Sequence, residues 1–132
     1  MIRVSFCLTR RADMSREEFQ AYWRGTHVPL VAEHGAALGI KRYVQVHTLP
    51  AEANAGVRAS RGGPEEFDGI AEAWYDSYEA AKTAFGSEAG RAAWKVLRED
   101  ERAFIDLERS PIFFGEEHLV FDDARSSGPL AH

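Results

Sequence analysis

His27 has the residue type and the sequence setting for proton-transfer chemistry. Phe19, Tyr22 and Trp23 precede it at helical spacing. Pro29 follows it, where a helix is expected to kink or stop. Imidazole titrates near neutrality, so His27 could act as a general acid or base; a helix end favours its protonated form and burial opposes it. A structural role stays open, in which His27 fills the helix end and bonds a carbonyl freed by the proline.

Tyr43 and Cys7 are the next candidates for chemistry. Tyr43 could donate a hydrogen bond to a carbonyl or enolate oxygen, or it could simply pack as an aromatic residue of the sheet. Cys7, the only cysteine, has no His or Lys near it in sequence to lower its pKa. This favours a small buried side chain over a nucleophile. Trp23 and Trp74 are interpreted as core or as the wall of a cavity.

The remaining polar residues do not form a metal or nucleotide site. His27 and His34 would lie about 10 Å apart on a continuous helix, too far to share one metal ion. The adjacent Glu116 and Glu117 point to opposite faces of a strand. The chain contains no Gly-rich phosphate loop, metal-ligand spacing or nucleophile motif. We therefore expect neither a cofactor nor a metal.

A separate prediction concerns Glu72. It lies on the same face of its strand as Ile70 and Trp74, so we expect it to be buried beside them, and a buried carboxylate needs a partner. Arg42 is one candidate for a structural ion pair. The alternative is a base with a raised pKa.

Composition limits the class of protein. The 132 residues suit one domain, and the net charge of -5 argues against binding to duplex nucleic acid or to an anionic membrane surface. No apolar run is long enough to span a bilayer, and the N-terminus is too short and alternating for a signal peptide. The single Cys7 excludes an intrachain disulfide and fits a reducing cytoplasm.

The elements that would position these residues follow a β-α-β-β-α-β order. Strands are predicted at residues 2–9, 40–47, 68–75 and 112–121. A first helix is predicted from the Ser15–Glu18 capping box to His27, with a further turn to His34, and residues 48–67 are read as a long loop. A second helix is predicted from an Asp76–Glu79 box to Gly86, and a third after Ser87, through residues 94–105. Residues 1–122 then form a single domain, followed by a tail at residues 123–132.

This order predicts an α+β ferredoxin-like fold with a four-stranded antiparallel sheet. Helices would cover the apolar face of the first strand, and a second copy of the chain would cover the other face. The small polar face of Arg3, Ser5 and Cys7 has the same parity as Tyr43 and His47. We therefore expect a homodimer whose opposed sheets enclose a semi-polar lumen for a small ligand.

The sequence resembles the EthD-type branch of the dimeric α/β-barrel superfamily. The resemblance is carried by S-R-E-E-F-Q-A-Y-W-R-G-T-H-V-P-L, I-K-R-Y, D-G-I-A-E-A-W-Y and G-E-E-H-L-V-F-D. It implies a small homodimer with a cavity in each subunit, of a kind found beside catabolic or polyketide-tailoring enzymes. Similar methylmuconolactone methylisomerases use a histidine and a tyrosine that match His27 and Tyr43. They have a cysteine where this chain has Ala73, and a second histidine in the loop that begins near His47.

Three functional hypotheses result. The first is a cofactor-independent isomerase, cyclase, decarboxylase or oxygenase acting on a hydrophobic oxygenated molecule such as a lactone, quinone or polyketide aromatic. Its catalytic residues would be His27 and Tyr43, and the substrate would contact Trp23, Cys7, His47, Ala73 and Trp74. The second is a non-catalytic small-molecule binding protein that uses the same lumen. The third is a haem-handling barrel with His47 or His118 as the ligand.

Overall fold

In the part of the chain that the structure describes, four antiparallel strands form one sheet in the order β2-β3-β1-β4. The computed structural model describes residues 1–123, so the predicted tail lies almost wholly outside the described residues. The strands are β1 (Ile2–Leu8), β2 (Arg42–His47), β3 (Gly69–Tyr75) and β4 (Ile112–Glu116). This strand order confirms the predicted ferredoxin-like fold.

Within the described residues, five α-helices accompany the sheet. They are α1 (Arg16–Tyr22), α2 (Val28–His34), α3 (Ala51–Arg61), α4 (Tyr78–Gly86) and α5 (Glu88–Glu101). A π-helical turn, Trp23–His27, joins α1 to α2, and short 3-10 turns lie at Ala36–Leu38 and Leu107–Arg109. None of the helices within residues 1–123 has the length and apolarity needed to cross a membrane.

The predicted kink or stop in the first helical region lies just before Pro29, at the π turn, rather than at the proline itself. The Ser15–Glu18 capping box is formed, with Ser15 N donating to Glu18 Oε1 at 2.8 Å and Glu18 N donating to Ser15 Oγ at 3.0 Å. Pro29 lies in the first turn of α2, where its missing N–H would have had no helical acceptor. The proline therefore begins a new helix after the π turn, and that helix ends at His34 before Gly35 as predicted.

Three other predictions of secondary structure are wrong. Residues 48–67 contain α3, an alanine-rich helix with no buried residue, so no apolar periodicity marks it in the sequence. Ser77, not Asp76, caps α4 by accepting a hydrogen bond from Ala80 N at 3.0 Å. The last strand ends at Glu116, which pairs with Ile2 at the start of β1, and only one backbone hydrogen bond, from Glu117 N to Met1 O at 3.0 Å, lies beyond that pair.

The predicted apolar face of β1 is confirmed. Val4, Phe6 and Leu8 are buried beneath the helices, and Phe6 and Leu8 belong to a core cluster that also contains Phe19 and Phe104. About 1.5–3 kcal/mol is gained for each large apolar side chain buried in this way. The helices and this sheet face together form the interior from which the site is built.

The face predicted for β2 is wrong. Tyr43 pairs with Ala73, and Ala73 pairs with Val4, so Tyr43 lies on the helix-covered face. Gln45 and His47 lie on this same face, while Arg42 shares the open face with Arg3, Ser5 and Cys7. Odd-numbered residues of β2 pair with odd-numbered residues of β3, and these pair with even-numbered residues of β1. Odd-numbered residues of β1 and β2 therefore lie on opposite faces of the sheet, although their numbers suggest the same face.

A buried acidic residue fixes the edge of the sheet next to α1. Asp68 accepts hydrogen bonds from Arg10 N and Arg10 Nη1, both at 2.8 Å, and from Arg16 Nε at 2.9 Å. Burial by itself would raise the pKa of Asp68, but these hydrogen bonds and positive charges outweigh it and hold the pKa below its usual range. The network ties the end of β1 and the start of α1 to the entry of β3.

Candidate functional site: a cavity between the helices and the sheet

A cavity of about 70 Å³ lies between the helices and the covered face of the sheet. Most of its wall is aliphatic or aromatic. The side chains in the wall that can exchange a proton are His27, Tyr43, Tyr75 and Glu101. The cavity therefore lies within one chain, and the predicted position between two opposed sheets is not where the structure brings His27 and Tyr43 together.

The π turn explains how His27 comes to face this cavity. Phe19, Trp23, His27 and Val31 are spaced by four residues, and all four are buried. In a regular α-helix each step of four residues advances about 40° beyond one full turn, so such a stripe would rotate out of the core. The wider π turn at Trp23–His27 takes up this excess and keeps His27 on the buried side.

His27 is held by an acidic partner. It is 4 % exposed, and its Nδ1 lies 2.8 Å from Asp100 Oδ2. The hydroxyl of Tyr22 donates to Asp100 Oδ1 at 2.7 Å, and the His27 ring packs against Phe104 at 5.1 Å. Because an ionised carboxylate only accepts hydrogen bonds, the neutral imidazole carries its proton on Nδ1 and its lone pair on Nε2.

The electrostatics favour neutral His27 at neutral pH. Burial lowers the pKa of His27, and the hydrogen bond and charge of Asp100 only partly offset it. No group among the described residues forms a hydrogen bond with its Nε2. A buried, neutral imidazole with one nitrogen fixed by a carboxylate and the other available can accept a proton from a ligand.

Tyr43 provides a hydroxyl in the same cavity wall. Burial raises its pKa, although hydrogen bonds from Gln45 and Trp23 act in the opposite direction, so the phenol stays protonated at neutral pH. Gln45 Nε2 donates to the Tyr43 hydroxyl oxygen at 3.2 Å, which leaves the hydroxyl hydrogen free to point elsewhere. Tyr43 can therefore donate a hydrogen bond to a ligand oxygen.

His47 lies outside the cavity wall and supports it. Its ring stacks on Trp23 with centroids 4.4 Å apart, and its Nε2 lies 2.7 Å from Gln45 Oε1. Because Gln45 in turn contacts Tyr43, His47 orients the amide that orients the tyrosine. His118 lies at the exposed end of β4, next to Glu116. Neither His47 nor His118, the two candidate haem ligands, lines this cavity.

The other predicted contact residues divide between the two sheet faces. Trp23 and Ala73 line the cavity with His27 and Tyr43. Cys7 lies on the open face, and burial raises its pKa, which does not favour a thiolate nucleophile. Trp74, on the same open face, is not brought near His27.

Glu72 has a partner on the open face, but a different one from the candidate suggested by its sequence. Its carboxylate pairs with Arg3 at 3.3 Å. Arg42 instead stacks over the Trp74 ring at 4.3 Å, and Arg3 lies over the same ring at 5.4 Å. The pair is structural and lies away from the cavity.

Three site residues were missed by sequence reasoning. Asp100 lies 73 positions from His27 along the chain, and no local spacing signals that contact. Tyr22 was interpreted only as part of an apolar stripe. Glu101 had a signal that could have been used, because it occupies the inward stripe of α5 after Ala93 and Leu97.

Glu101 is an unusual member of that stripe. It is 8 % exposed, lines the cavity, and has no hydrogen bond or ion pair within the described part of the chain. Burial, and secondarily the negative charge of Asp100, raise the pKa of Glu101 to about 7, with Arg98 acting weakly in the other direction. The site thus combines a neutral base with a carboxyl group that is partly protonated near neutrality.

An antiparallel sheet of this order, with helices on one face and a cavity between the two layers, defines the ferredoxin-like class of α+β proteins. Within this class, the model of the EthD domain matches residues 11–108. The chain therefore belongs to the EthD domain family. No curated protein sequence matches it at a significant level.

Three solved structures illustrate the likeness in fold. An EthD-like protein from Ralstonia eutropha is 17% identical with a TM-score of 0.60, covering 94% of this chain and 96% of its own. A dimeric ferredoxin-like protein of unknown function from Bacteroides fragilis is 13% identical with a TM-score of 0.53, covering 88% and 95%. SnoaB, a cofactor-independent oxygenase from Streptomyces nogalater, is 11% identical with a TM-score of 0.53, covering 92% and 97%.

Proposed function

We propose that this protein is a cofactor-independent enzyme that moves a proton on a small, hydrophobic, oxygenated molecule such as a lactone, quinone or polyketide-like aromatic. The observation that carries the proposal is the buried contact between His27 Nδ1 and Asp100 Oδ2, 2.8 Å long, in the wall of an apolar cavity. SnoaB, which is a cofactor-independent oxygenase, has the same fold, and this supports a reaction without a cofactor here.

The geometry divides the reaction between two side chains. His27 Nε2 removes a proton from a carbon next to a carbonyl group, and Asp100 stabilises the imidazolium that forms. Tyr43 donates a hydrogen bond to the carbonyl oxygen as negative charge develops on it. The apolar wall excludes water, and in such surroundings these charge interactions are stronger than in solution.

The size of the cavity sets a condition on this function. Ligand sites are commonly about 300–1,000 Å³, whereas this cavity measures about 70 Å³. A ring-shaped substrate must therefore displace side chains at the mouth. Trp94 and Ile112 line the cavity and are also exposed, so their side chains are the movable part of the wall.

The proposal includes a homodimer formed through the open face of the sheet. Phe113 on that face is 54 % exposed, and the polar residues Arg3 and Glu72 lie beside it with no element of the described chain covering them. The dimeric Bacteroides protein has the same fold. A monodisperse monomer at micromolar concentration in solution scattering would contradict a dimer. Function in a reducing cytoplasm, where Cys7 remains a free thiol, belongs to the same proposal.

Turnover by wild type and by His27→Ala tests the catalytic proposal. The assay uses cyclic ketones, unsaturated lactones and hydroxynaphthoquinones, with His34→Ala as the matched control because His34 lies outside the cavity on the next helix. We expect His27→Ala to lower kcat by about 10²–10⁴ and the control to leave it unchanged. Equal rates in wild type and a folded His27→Ala would remove His27 from the mechanism.

Binding without turnover would favour the carrier hypothesis instead. Native mass spectrometry of the purified protein shows whether a ligand is retained. A retained ligand that wild type leaves chemically unchanged would support a binding protein and contradict the enzyme.

A further inference from the structure

Glu101 occupies a position that packing alone does not explain. It ends α5, one turn beyond Leu97 on the stripe that faces the core, where an aliphatic residue would pack without cost. A buried carboxyl with no hydrogen-bond partner is unfavourable in such a position. Within residues 1–123 Glu101 forms no ion pair or side-chain hydrogen bond, and the charge of Arg98 acts on it only weakly, so the carboxyl is available to whatever enters the cavity.

Adjacent carboxyl groups on α5 perform different tasks. Asp100 turns toward Tyr22 and His27 and accepts a hydrogen bond from each. Glu101, the next residue, lines the cavity together with His27 and Tyr43. The end of one helix therefore presents both the partner that fixes the base and a second acid in the same space.

We propose that Glu101 is a second catalytic residue, acting as a general acid opposite the base His27, and that the substrate is a carbonyl compound with an isolated double bond at the β,γ position. This inference rests on the proposed function and names its reaction class. It makes the enzyme a double-bond isomerase, a reaction that needs no oxidant, reductant or co-substrate.

The proton and electron balance of the step is complete. His27 Nε2 takes a proton from the α-carbon, and the electron pair of that bond delocalises through the carbonyl group to give a dienolate, whose oxygen Tyr43 holds by a hydrogen bond. The protonated carboxyl of Glu101 then delivers its proton to the γ-carbon, and the double bond moves into conjugation. The reaction leaves imidazolium and carboxylate, and one proton passing from His27 to Glu101 through water restores both groups.

The electrostatic environment suits this division of labour. Asp100 and Arg98 on its own helix act on the pKa of Glu101, the charge of Glu101 in turn raises the pKa of Tyr43, and His27 lines the same cavity. The pKa of Glu101 is raised to about 7 while that of His27 is lowered, so the protonated acid and the neutral base coexist at neutral pH. Two titratable groups whose environments shift their pKa values in this way form an acid–base pair.

The experiment uses 3-cyclohexenone, a small β,γ-unsaturated ketone, with wild type, Glu101→Gln and Glu99→Gln. Glu99 lies on the exposed side of the same helix, so its variant makes the same chemical change outside the cavity. In deuterated buffer, NMR follows α-carbon exchange, which requires only His27, and formation of conjugated product, which requires Glu101 as well. We expect Glu101→Gln to keep α-carbon exchange within about threefold of wild type and to lose product formation by about 10²-fold or more. Glu99→Gln should resemble wild type in both.

The outcomes separate this inference from the proposal on which it rests. Product formation unchanged in Glu101→Gln would overturn the role of Glu101 and leave His27 as the base. Loss of both exchange and product in His27→Ala supports the shared mechanism. No acceleration of either process by wild type would overturn the inference and count against the proposed function. A Glu101 carboxyl carbon that titrates in the ordinary range of glutamates, followed by NMR in the wild-type protein, would also overturn the inference without any substrate.

Discussion

Asp100→Asn tests the organisation of the site with the smallest change in shape. The carboxylate of Asp100 accepts hydrogen bonds from both Tyr22 and His27, at 2.7 and 2.8 Å. An amide has one accepting oxygen and one donating nitrogen, so it can serve only one of these donors. If its oxygen keeps the bond to Tyr22, its NH₂ group faces His27 Nδ1 and moves the imidazole proton to Nε2. The base is then blocked at the atom that faces the ligand.

The structure gives the size of each effect. Exchanging the charged carboxylate for a neutral amide should lower the free energy of unfolding by about 1–1.5 kcal/mol, because a hydrogen bond to a charged group contributes about 1.5–3 kcal/mol and a neutral one about 0.5–1.5 kcal/mol. The hydrogen bond to the Asp100 carboxylate is the largest cause that raises the pKa of Tyr22 to about 12. In the variant Tyr22 donates to a neutral amide oxygen instead, so this pKa should fall toward 10. The pKa of His27, already lowered by burial, should fall further because Asp100 no longer favours the charged form. We expect kcat to fall by about 10²–10⁴.

Three measurements check these expectations. NMR of ring-labelled tyrosine and histidine gives both titrations, with Tyr22→Phe to assign the tyrosine signal. Urea unfolding gives the stability, and Glu99→Gln, a change on the exposed side of the same helix, is the control. If Tyr22 still ionised near 12 and the His27 titration were unchanged in Asp100→Asn, the assigned hydrogen bonds would be refuted.

Three further predictions concern the fold and the pH dependence. Asp68→Asn should lower the free energy of unfolding at neutral pH by about 3–5 kcal/mol, because it breaks a buried ion pair. Because the pKa of Asp68 is lowered in the folded protein, its contribution to stability is present at neutral pH and is lost as the pH falls through the folded-state pKa. The urea midpoint should therefore fall less steeply with decreasing pH in the variant than in wild type. Gly69→Ala should cost about 1–3 kcal/mol in urea unfolding, because its Cβ would lie 2.5 Å from the Trp23 ring, whereas Gly115→Ala meets nothing within 4 Å and should cost less. The acid limb of the pH–kcat profile should lie below pH 6.5, where neutral His27 becomes protonated, and a limb above that value would contradict the assigned base.

The sequence predicted the individual helices and strands better than the way they pack together. The apolar face of β1 and the Ser15–Glu18 capping box depend on residues close together in the chain, and both are present. Helix α3 was not predicted because it buries no residue. A helix without a buried face needs no regular spacing of apolar residues, and that spacing is the main sequence signal of a helix. The contact of His27 with Asp100 depends on how α5 packs against the π turn, which no spacing in the sequence encodes.

The wrong prediction of which face Tyr43 occupies on β2 has a consequence for the site. With Tyr43 placed on the open face, a second copy of the chain would have been needed to enclose it with its ligand. The register through β3 instead turns Tyr43 toward His27 beneath the helices, and every side chain assigned to the chemistry comes from one chain. In the proposed dimer, the second copy would cover Arg3 and the exposed Phe113 and would stabilise the sheet, while the cavity and its acid–base groups already exist in each subunit. Dimerisation and catalysis then depend on opposite faces of the same sheet, so substitutions on one face separate the two properties.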